Sequence, residues 1–351
     1  MAWKPTCCER GLRRRPVPVE HSLSPVRLSP AALHLDCAAE LGRIASRISD
    51  IVARQLRRRG VIIALSGGID SSVCGALAVR ALGPEKVFGL LMPEKDSSAS
   101  SSARGRSVAE QLGIRWQLVD IAPTLEALGC YRWRDEAIRA LFPDYRDDWK
   151  SKITIAGGLE GRINFFRLVV QSPDGAVREK RLPIHEYLQI VAASNFKQRV
   201  RKTIEYFHAD RLNYAVIGTP NRLEYDQGFF VKNGDGAADL KPIAHLYKTQ
   251  VYALARHLKL PEEVCSATPR TEIYSMQHGQ DEFYFALPYE KMDIALWAHN
   301  HGVATAELAG YLGMSEEQAR FVYRDIENKR NATRYLHAQA LLVDPVTEIE
   351  Q

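Results

Sequence analysis

One segment constrains this chain more than any other: Ser66-Gly67-Gly68-Ile69-Asp70-Ser71-Ser72. The apolar run Val61-Ile62-Ile63-Ala64-Leu65 precedes it and reads as a buried parallel strand. Val73-Cys74-Gly75-Ala76-Leu77-Ala78-Val79 follows and reads as a helix. Strand, glycine-rich turn and helix make an anion cradle. The glycines let backbone N–H groups approach an oxyanion, and the helix N-terminus adds partial positive charge. Ser66, Ser71 and Ser72 offer hydroxyl donors. Asp70 is the odd member, because a carboxylate beside phosphate is repelled unless a cation lies between them. It therefore implies a divalent metal, Mg, on the phosphates. The segment lacks the Lys-Ser/Thr ending of a Walker loop. The same residues also suit a plain tight turn rich in Gly and Ser.

The strands and helices around this loop imply a fold class. Ser29-Pro30 suits a helix start, and Cys37, Leu41, Ile44, Ile48, Ile51, Val52 and Leu56 recur at helical spacing through residue 59. The helix after the loop is expected to end near Gly83. A strand over 87–92, a helix over about 101–112 and a strand over 114–121 come next. Such alternation predicts a doubly wound, Rossmann-like parallel sheet with helices on both faces. Ligands on such sheets bind at the carboxyl ends of the strands, where the Ser66–Ser72 loop falls. Over 121–194 the alternation stops, and Arg162 to Val170, the turn Ser172-Pro173-Asp174-Gly175 and Val177 to Leu182 read as a β-hairpin insertion. A helix over about 195–210, the strand Tyr214 to Gly218 and a helix over about 248–259 resume the pattern. From 288 onward the chain reads as helical. Residues 304–328 have helix-turn-helix spacing, but the near-neutral charge favours a packed helical pair. The expected organisation is a basic, poorly ordered tail over 1–30, a nucleotide-binding domain over 31–290 with its insertion at 121–194, and a C-terminal helical extension over 291–351.

Composition limits the partners. The chain has 351 residues, 46% of them hydrophobic and 25% charged, with a net charge of +5. Lys4, Arg10, Arg13, Arg14, Arg15 and Arg27 oppose only Glu9 and Glu20 in the tail, which holds nearly all of that excess. The basic character is thus a tail property and not a nucleic-acid-binding face. No run of 18 apolar residues exists, so no membrane span is expected. Of the six cysteines, Cys7, Cys8, Cys37, Cys74, Cys130 and Cys265, none forms a CxxC pair. That pattern fits reduced thiols in a cytoplasmic protein.

A second constellation follows the strand near 214. Gly218-Thr219-Pro220-Asn221-Arg222-Leu223-Glu224 is succeeded by Lys232-Asn233-Gly234-Asp235-Gly236-Ala237-Ala238-Asp239, then Lys241-Pro242-Ile243 and Leu246-Tyr247-Lys248-Thr249-Gln250-Val251. Lysines, aspartates and glycines running into a helix suit phosphates and a cation, although a solvated loop has the same composition.

The Ser66–Ser72 segment resembles the pyrophosphate loop of the N-type ATP pyrophosphatases, which split ATP into AMP and pyrophosphate. With the downstream blocks, Met92-Pro93 and its Ser-rich follow-on, Asn195-Phe196-Lys197-Gln198-Arg199, and Glu327-Asn328-Lys329-Arg330, the chain resembles the NAD synthetases from about residue 35 to 333, with a break over 121–194. These enzymes amidate nicotinic acid adenine dinucleotide. The resemblance implies that Ser66, Gly67, Gly68, Asp70, Ser71, Ser72, Met92, Thr219 and Lys248 contact ATP. Asp70 and Glu224 would ligate Mg, and Asp70 and Lys248 would be the catalytic residues. Arg199, Lys232, Asp239, Asn328 and Lys329 would hold the acid. It also implies a homodimer. Three positions depart from the family pattern: Arg270 precedes Thr271 where a Thr is usual, Asn328 stands for a His, and Val231 for a Thr. The 121–194 connection is also long.

The implied chemistry is adenylation of a carboxylate at the α-phosphorus of ATP, release of pyrophosphate, and displacement of AMP by ammonia. A lid over 265–285 is expected to keep water from the adenylate. The 35 or so residues ahead of the first helix cannot hold a glutaminase core, so any glutaminase would be a separate protein. Other readings are an amide ligase acting on a different carboxylic acid, a tRNA-modifying ATP pyrophosphatase and a nucleotide sensor. The second would need a basic face or a catalytic cysteine pair, and retention of Asp70 and Glu224 speaks against the third.

Overall fold

In the computed structural model, the β1 strand Val61–Ala64 pairs in parallel with β2, Val87–Leu91, on one side and with β7, Ala215–Val216, on the other. The β3 strand, Arg115–Leu118, extends the sheet to the order β3-β2-β1-β7. The structure describes residues 28–29, 31–156, 165–267, 274–276, 284–285 and 287–346. The tail up to residue 27, Pro30, Arg162 to Asn164, Arg270 and most of the expected lid lie outside the described residues.

Alternation along the strands decides which helices cover the sheet. Val61 and Ile63 of β1 and Val87 and Leu91 of β2 face one core, with Ile44 and Ile48 of α1 (Cys37–Asp50), Val73 and Leu77 of α2 (Ile69–Leu82) and Val108 of α3 (Ala99–Gln111). Ile62, Phe88 and Leu90 face the other, with Leu125 of α4 (Ala122–Ala127), Cys130 and Tyr131 of α5 (Cys130–Leu141), and Ala193 and Ala209 of α6 (Ile184–Leu212). Burial on both faces explains why the strands read as continuous apolar runs. Each fully buried Ile or Leu contributes about 2 kcal/mol.

The chain steps from β1 to β2 to β3 and later returns to place β7 on the far side of β1. The strand order therefore reverses between β1 and β7, and the crevice at their carboxyl ends is a binding position by topology. The Ser66–Ser72 loop leaves β1 there, and Gly218-Thr219 leaves β7.

Some boundaries differ from the sequence reading. The first helix starts at Cys37, not near Ser29, because the Asp36 carboxylate accepts from the N–H groups of Ala38 (3.1 Å) and Ala39 (3.0 Å). Ser29 instead closes a turn through its carbonyl, which accepts from Ala32. The helix stops short of residue 59, in a π-type turn over Ile51–Gln55, and Arg57 adopts positive φ. The helix expected from residue 195 begins eleven residues earlier, at Ile184, with Pro183 at its cap.

The hairpin is present as β5, Phe165–Gln171, and β6, Val177–Arg181. Gly175 (φ 88°) turns it, and the Asp174 carboxylate accepts from the Ala176 N–H. A strand the sequence reading did not name, β4 (Lys150–Ala156), completes a three-stranded antiparallel sheet.

Beyond α7 (Arg222–Gln227), α8 (Lys248–His257) and α9 (Glu262–Cys265), the C-terminal part forms α10 (Tyr289–Asn300), α11 (Thr305–Leu312) and α12 (Glu316–His337). Met292, Leu296, Leu308, Val322 and Ile326 bury one another as a packed helical group, and Leu223 of α7 joins their core. No described helix is long and apolar enough to cross a membrane.

Candidate active site

The loop after β1 is held from inside and from behind. Ser71 and Ser72 donate through their hydroxyls to the Gly68 carbonyl (3.0 and 2.8 Å), and the Gly68 N–H donates to Ser66 Oγ (3.2 Å). Gly67 sits at φ 77°, and a Cβ there would lie 2.1 Å from the Ser101 carbonyl oxygen of α3. Only glycine permits both the dihedral and that approach. Arg104, also on α3, donates to the Gly67 carbonyl (3.1 Å) and to Ser101 Oγ (2.8 Å). A Cβ on Gly105 would come within 2.9 Å of the Leu65 carbonyl oxygen, so α3 lies tight against the loop's backbone. The sequence reading found the loop but not this brace. Its signal was the unusual run of small residues at the start of α3.

Asp70, in the first turn of α2, forms an ion pair with Lys248, the first residue of α8. Lys248 is 3% exposed. Burial by itself depresses an ammonium, but the carboxylates of Asp70 and Glu224 outweigh it and hold Lys248 above the ordinary lysine value. The same two carboxylates, after burial, push the Cys74 thiol well up, so Cys74 is an inert neighbour and not a nucleophile.

Asn221 joins the two carboxylates. Its side-chain amide donates to Asp70 Oδ1 (3.1 Å), its backbone N–H donates to Glu224 Oε2 (3.1 Å), and its Oδ1 caps α7 by accepting from Leu223 and Glu224. Asn221 is 1% exposed. Two further residues hold these helices from the C-terminal part. Arg330 of α12 makes a two-pronged pair with Asp226, at 2.6 and 2.9 Å, two residues after Glu224. Asp293 of α10 accepts from the N–H groups of Lys248 (3.2 Å) and Thr249 (2.7 Å). Asn221 and Arg330 stand in motifs named from sequence but carry no role there, and Asp293 is not named, because their partners Asp70, Asp226 and Lys248 lie 151, 104 and 45 residues away.

The remaining expected residues divide. Met92, at the end of β2, is buried, and its carbonyl accepts from Arg201 (3.2 Å). Thr219 follows Gly218, where a Cβ would come 2.7 Å from that of Ala238, so β7 and the segment before Asp239 lie in close contact. Asp239 accepts from the Val216 N–H of β7 (2.7 Å), and Tyr206 donates to it (3.4 Å). Arg199 donates to the Lys232 carbonyl (3.3 Å), which brings those two together. The Lys232 ammonium meets the carbonyls of Tyr335 (2.7 Å) and Ala338 (2.9 Å) at the end of α12. Lys329 turns to Asp325 and the Tyr284 carbonyl, both at 2.5 Å, and burial, countered in part by Asp325, pulls its ammonium below the usual lysine value. Asn328 is exposed. Lys197, from the motif at 195–199, is buried against Glu94 (3.1 Å) and Asp96 (2.5 Å).

Among the described residues no group of three or more His, Cys, Asp or Glu side chains forms a metal cage. Asp70 and Glu224 instead form a pair of hard carboxylate donors, the set that suits a cation completing its shell with phosphate oxygens.

A parallel α/β sheet with a serine- and glycine-rich loop at its switch point, backed by a carboxylate–lysine pair, is an architecture suited to the phosphates of a nucleotide. The model for NAD synthase matches residues 41–141 and 147–335. The chain belongs to the NAD synthase family. It is 56% identical over 323 residues to an NH3-dependent NAD synthetase of Rhizobium meliloti strain 1021, covering 92% of this chain and 96% of that protein. It is 35% identical over 236 residues to the NH3-dependent NAD synthetase of Thermotoga maritima, covering 67% of this chain and 78% of that one. Among solved structures, the NMN synthetase of Francisella tularensis is similar with a TM-score of 0.59 at 22% identity, covering 88% of this chain and 98% of that one. The NH3-dependent NAD synthetase of Campylobacter jejuni is similar with a TM-score of 0.56 at 20% identity, covering 88% and 100%. At those identities the structural likeness speaks for the fold alone.

Proposed function

We propose that this chain is an ammonia-dependent NAD synthetase that amidates nicotinic acid adenine dinucleotide, using ATP and releasing AMP and pyrophosphate. The observation that carries the reading is the Asp70–Lys248 pair at the mouth of the Ser66–Ser72 loop, with Glu224 tied in through Asn221.

A carboxylate is a poor acyl donor because its leaving group would be oxide. In the proposed reaction a substrate carboxylate oxygen attacks the α-phosphorus of ATP and the bond to pyrophosphate breaks. Backbone N–H groups of the Ser66–Ser72 loop and the α2 N-terminus receive the phosphates. Lys248, kept cationic, offsets charge developing on the α-phosphorus. Ammonia then attacks the acyl carbon, AMP leaves, and the extra proton passes to solvent. No side-chain nucleophile is required, so the protein's part is placement and electrostatics. Asp70 and Glu224 would hold Mg, which when bound supplies charge neutralisation on the phosphate oxygens. Arg199, Lys232 and Asp239 are assigned to the dinucleotide acid, with Asn328 and Lys329 near it.

The nucleotide-binding part is assigned to 31–290 and the helical extension to 291–351. The four described cysteines are free thiols, which supports a cytoplasmic setting. A homodimer is carried over from the family resemblance.

The test mixes purified protein, ATP, Mg, ammonium and the dinucleotide acid, and looks for NAD and AMP by mass. AMP and NAD in equal amounts are expected. If ATP binds and no NAD forms between pH 7 and 9, the assignment fails, and an amide ligase for another acid takes its place.

A further inference from the structure

We propose that Asp293 is the positioning residue for Lys248, so that the C-terminal helices set the geometry of the reacting centre. This rests on the reading of Lys248 as the residue that meets the α-phosphorus.

The argument starts at the beginning of α8. The first N–H groups of a helix have no acceptor within it. Lys248 and Thr249 are the first two residues of α8, and Tyr247, at the cap position, makes no side-chain bond to them. Both N–H groups are satisfied by one carboxylate from another helix: Asp293 Oδ1 takes Lys248 and Oδ2 takes Thr249. Asp293 is fully buried, 45 residues away in the chain. Its own placement is fixed, since Met292 and Leu296 on α10 are also fully buried in the C-terminal core.

The lysine is thus anchored at both ends. Asp293 fixes its main chain, and Asp70 takes its ammonium. Between them lies a flexible four-carbon stem, whose tip is defined only as well as its root. A misplacement of about 1 Å at a reacting centre costs about 10²-fold in rate, so a loose root is expected to appear in turnover.

The experiment is a mutant cycle on the full chain, reading AMP formation for wild type, Lys248→Ala, Asp293→Ala, Asp293→Asn and the double alanine variant, with rates normalised to folded protein. Asp293→Ala is expected to lose about 10- to 100-fold in kcat while the KM for ATP moves less than about 3-fold. Asp293→Asn keeps one acceptor and should recover most of that loss. The double variant should be no slower than Lys248→Ala, within about 2-fold, because two residues acting through one group do not add. An unchanged kcat per folded molecule in Asp293→Ala, or losses that multiply in the double variant, would overturn the proposal. Should Asp293→Ala fail to fold, Asp293→Ser, too short to meet both N–H groups, takes its place in the cycle, and an unchanged kcat or losses that multiply with Lys248→Ala again count against the proposal. A fully active Lys248→Ala would remove the reading of Lys248 itself and this proposal with it, whereas an inactive Lys248→Ala beside a fully active Asp293→Ala removes the proposal alone.

Discussion

The side-chain amide of Asn221 lies 3.1 Å from the Asp70 carboxylate, although the two stand 151 positions apart in the chain. Because the Asn221 N–H also holds Glu224, one small residue sets the separation of the two carboxylates assigned to the metal. Asn221→Ala removes a helix cap worth about 1 kcal/mol and releases Asp70 from its amide partner, while the backbone N–H that meets Glu224 stays in place on a loosened helix start. The expected result is a modest fall in melting temperature, a kcat lowered about 10-fold and a higher Mg concentration for half-maximal rate. A Mg titration of the variant that overlays wild type would count against the shared role.

Gly67 offers a test of the loop by shape alone. Ala at position 67 would need positive φ and would bring its Cβ against the Ser101 carbonyl, a backbone atom that cannot swing aside. Gly67→Ala should weaken ATP binding at least about 10-fold through displacement of the loop. Calorimetric titration with ATP measures it, and unaltered affinity would show that the loop does not carry the phosphates.

Asp70→Asn keeps the shape of the side chain but strips Lys248 of its closest counter-charge. The loss in kcat should reach about 10²-fold or more if both the cation and the lysine depend on that carboxylate. Chromatography of the spent nucleotide from wild type should show AMP and pyrophosphate. ADP as the main product would contradict the assignment of the attack to the α-phosphorus.

Free ammonia should support turnover, and glutamine freed of ammonia should not. The nucleophile is NH₃ and not ammonium, so the rate at fixed total ammonium should climb from pH 7 to 9. Equal rates with purified glutamine would refute the ammonia-dependent reading.

Asp293 also gives a pH dependence of stability. Burial, partly offset by the bonds from Thr249 and Lys248, pushes its carboxyl up to about 7. The folded state therefore binds this proton more tightly than the unfolded chain, where an aspartate titrates near about 4. The stabilisation from that proton is complete below about 4 and is lost as pH rises to about 7. The melting temperature of wild type minus that of Asp293→Asn should accordingly shrink between pH 5 and 7 and level off above. A difference independent of pH would contradict the raised value.

Much of this architecture was legible in the chain. The apolar runs at 61–64 and 87–91 read as strands buried on both faces and are such strands, and the Ser66–Ser72 loop fell where strand meets helix. The hairpin at Ser172 to Gly175 announced itself through turn residues. The start of α1 was misread because Ser29-Pro30 and Asp36 both suit a helix cap, and only the fold shows which one meets free N–H groups. The third strand, β4, carried no turn signal and was found only through its pairing with β5.

The sequence by itself determined the elements whose causes are local: strand and helix periods, the glycines of the phosphate loop, the turn of the hairpin, and the residue types fit for ATP and a cation. Only the tertiary structure decided the partnerships. That Asp70 meets Lys248, that Asn221 spans to Asp70, that Arg330 grips Asp226 and that Asp293 caps α8 depend on contacts between segments 45 to 178 residues apart. No local propensity encodes them. They arise because packing of the two cores brings these helix ends to one place, where buried charges and unpaired N–H groups must find each other.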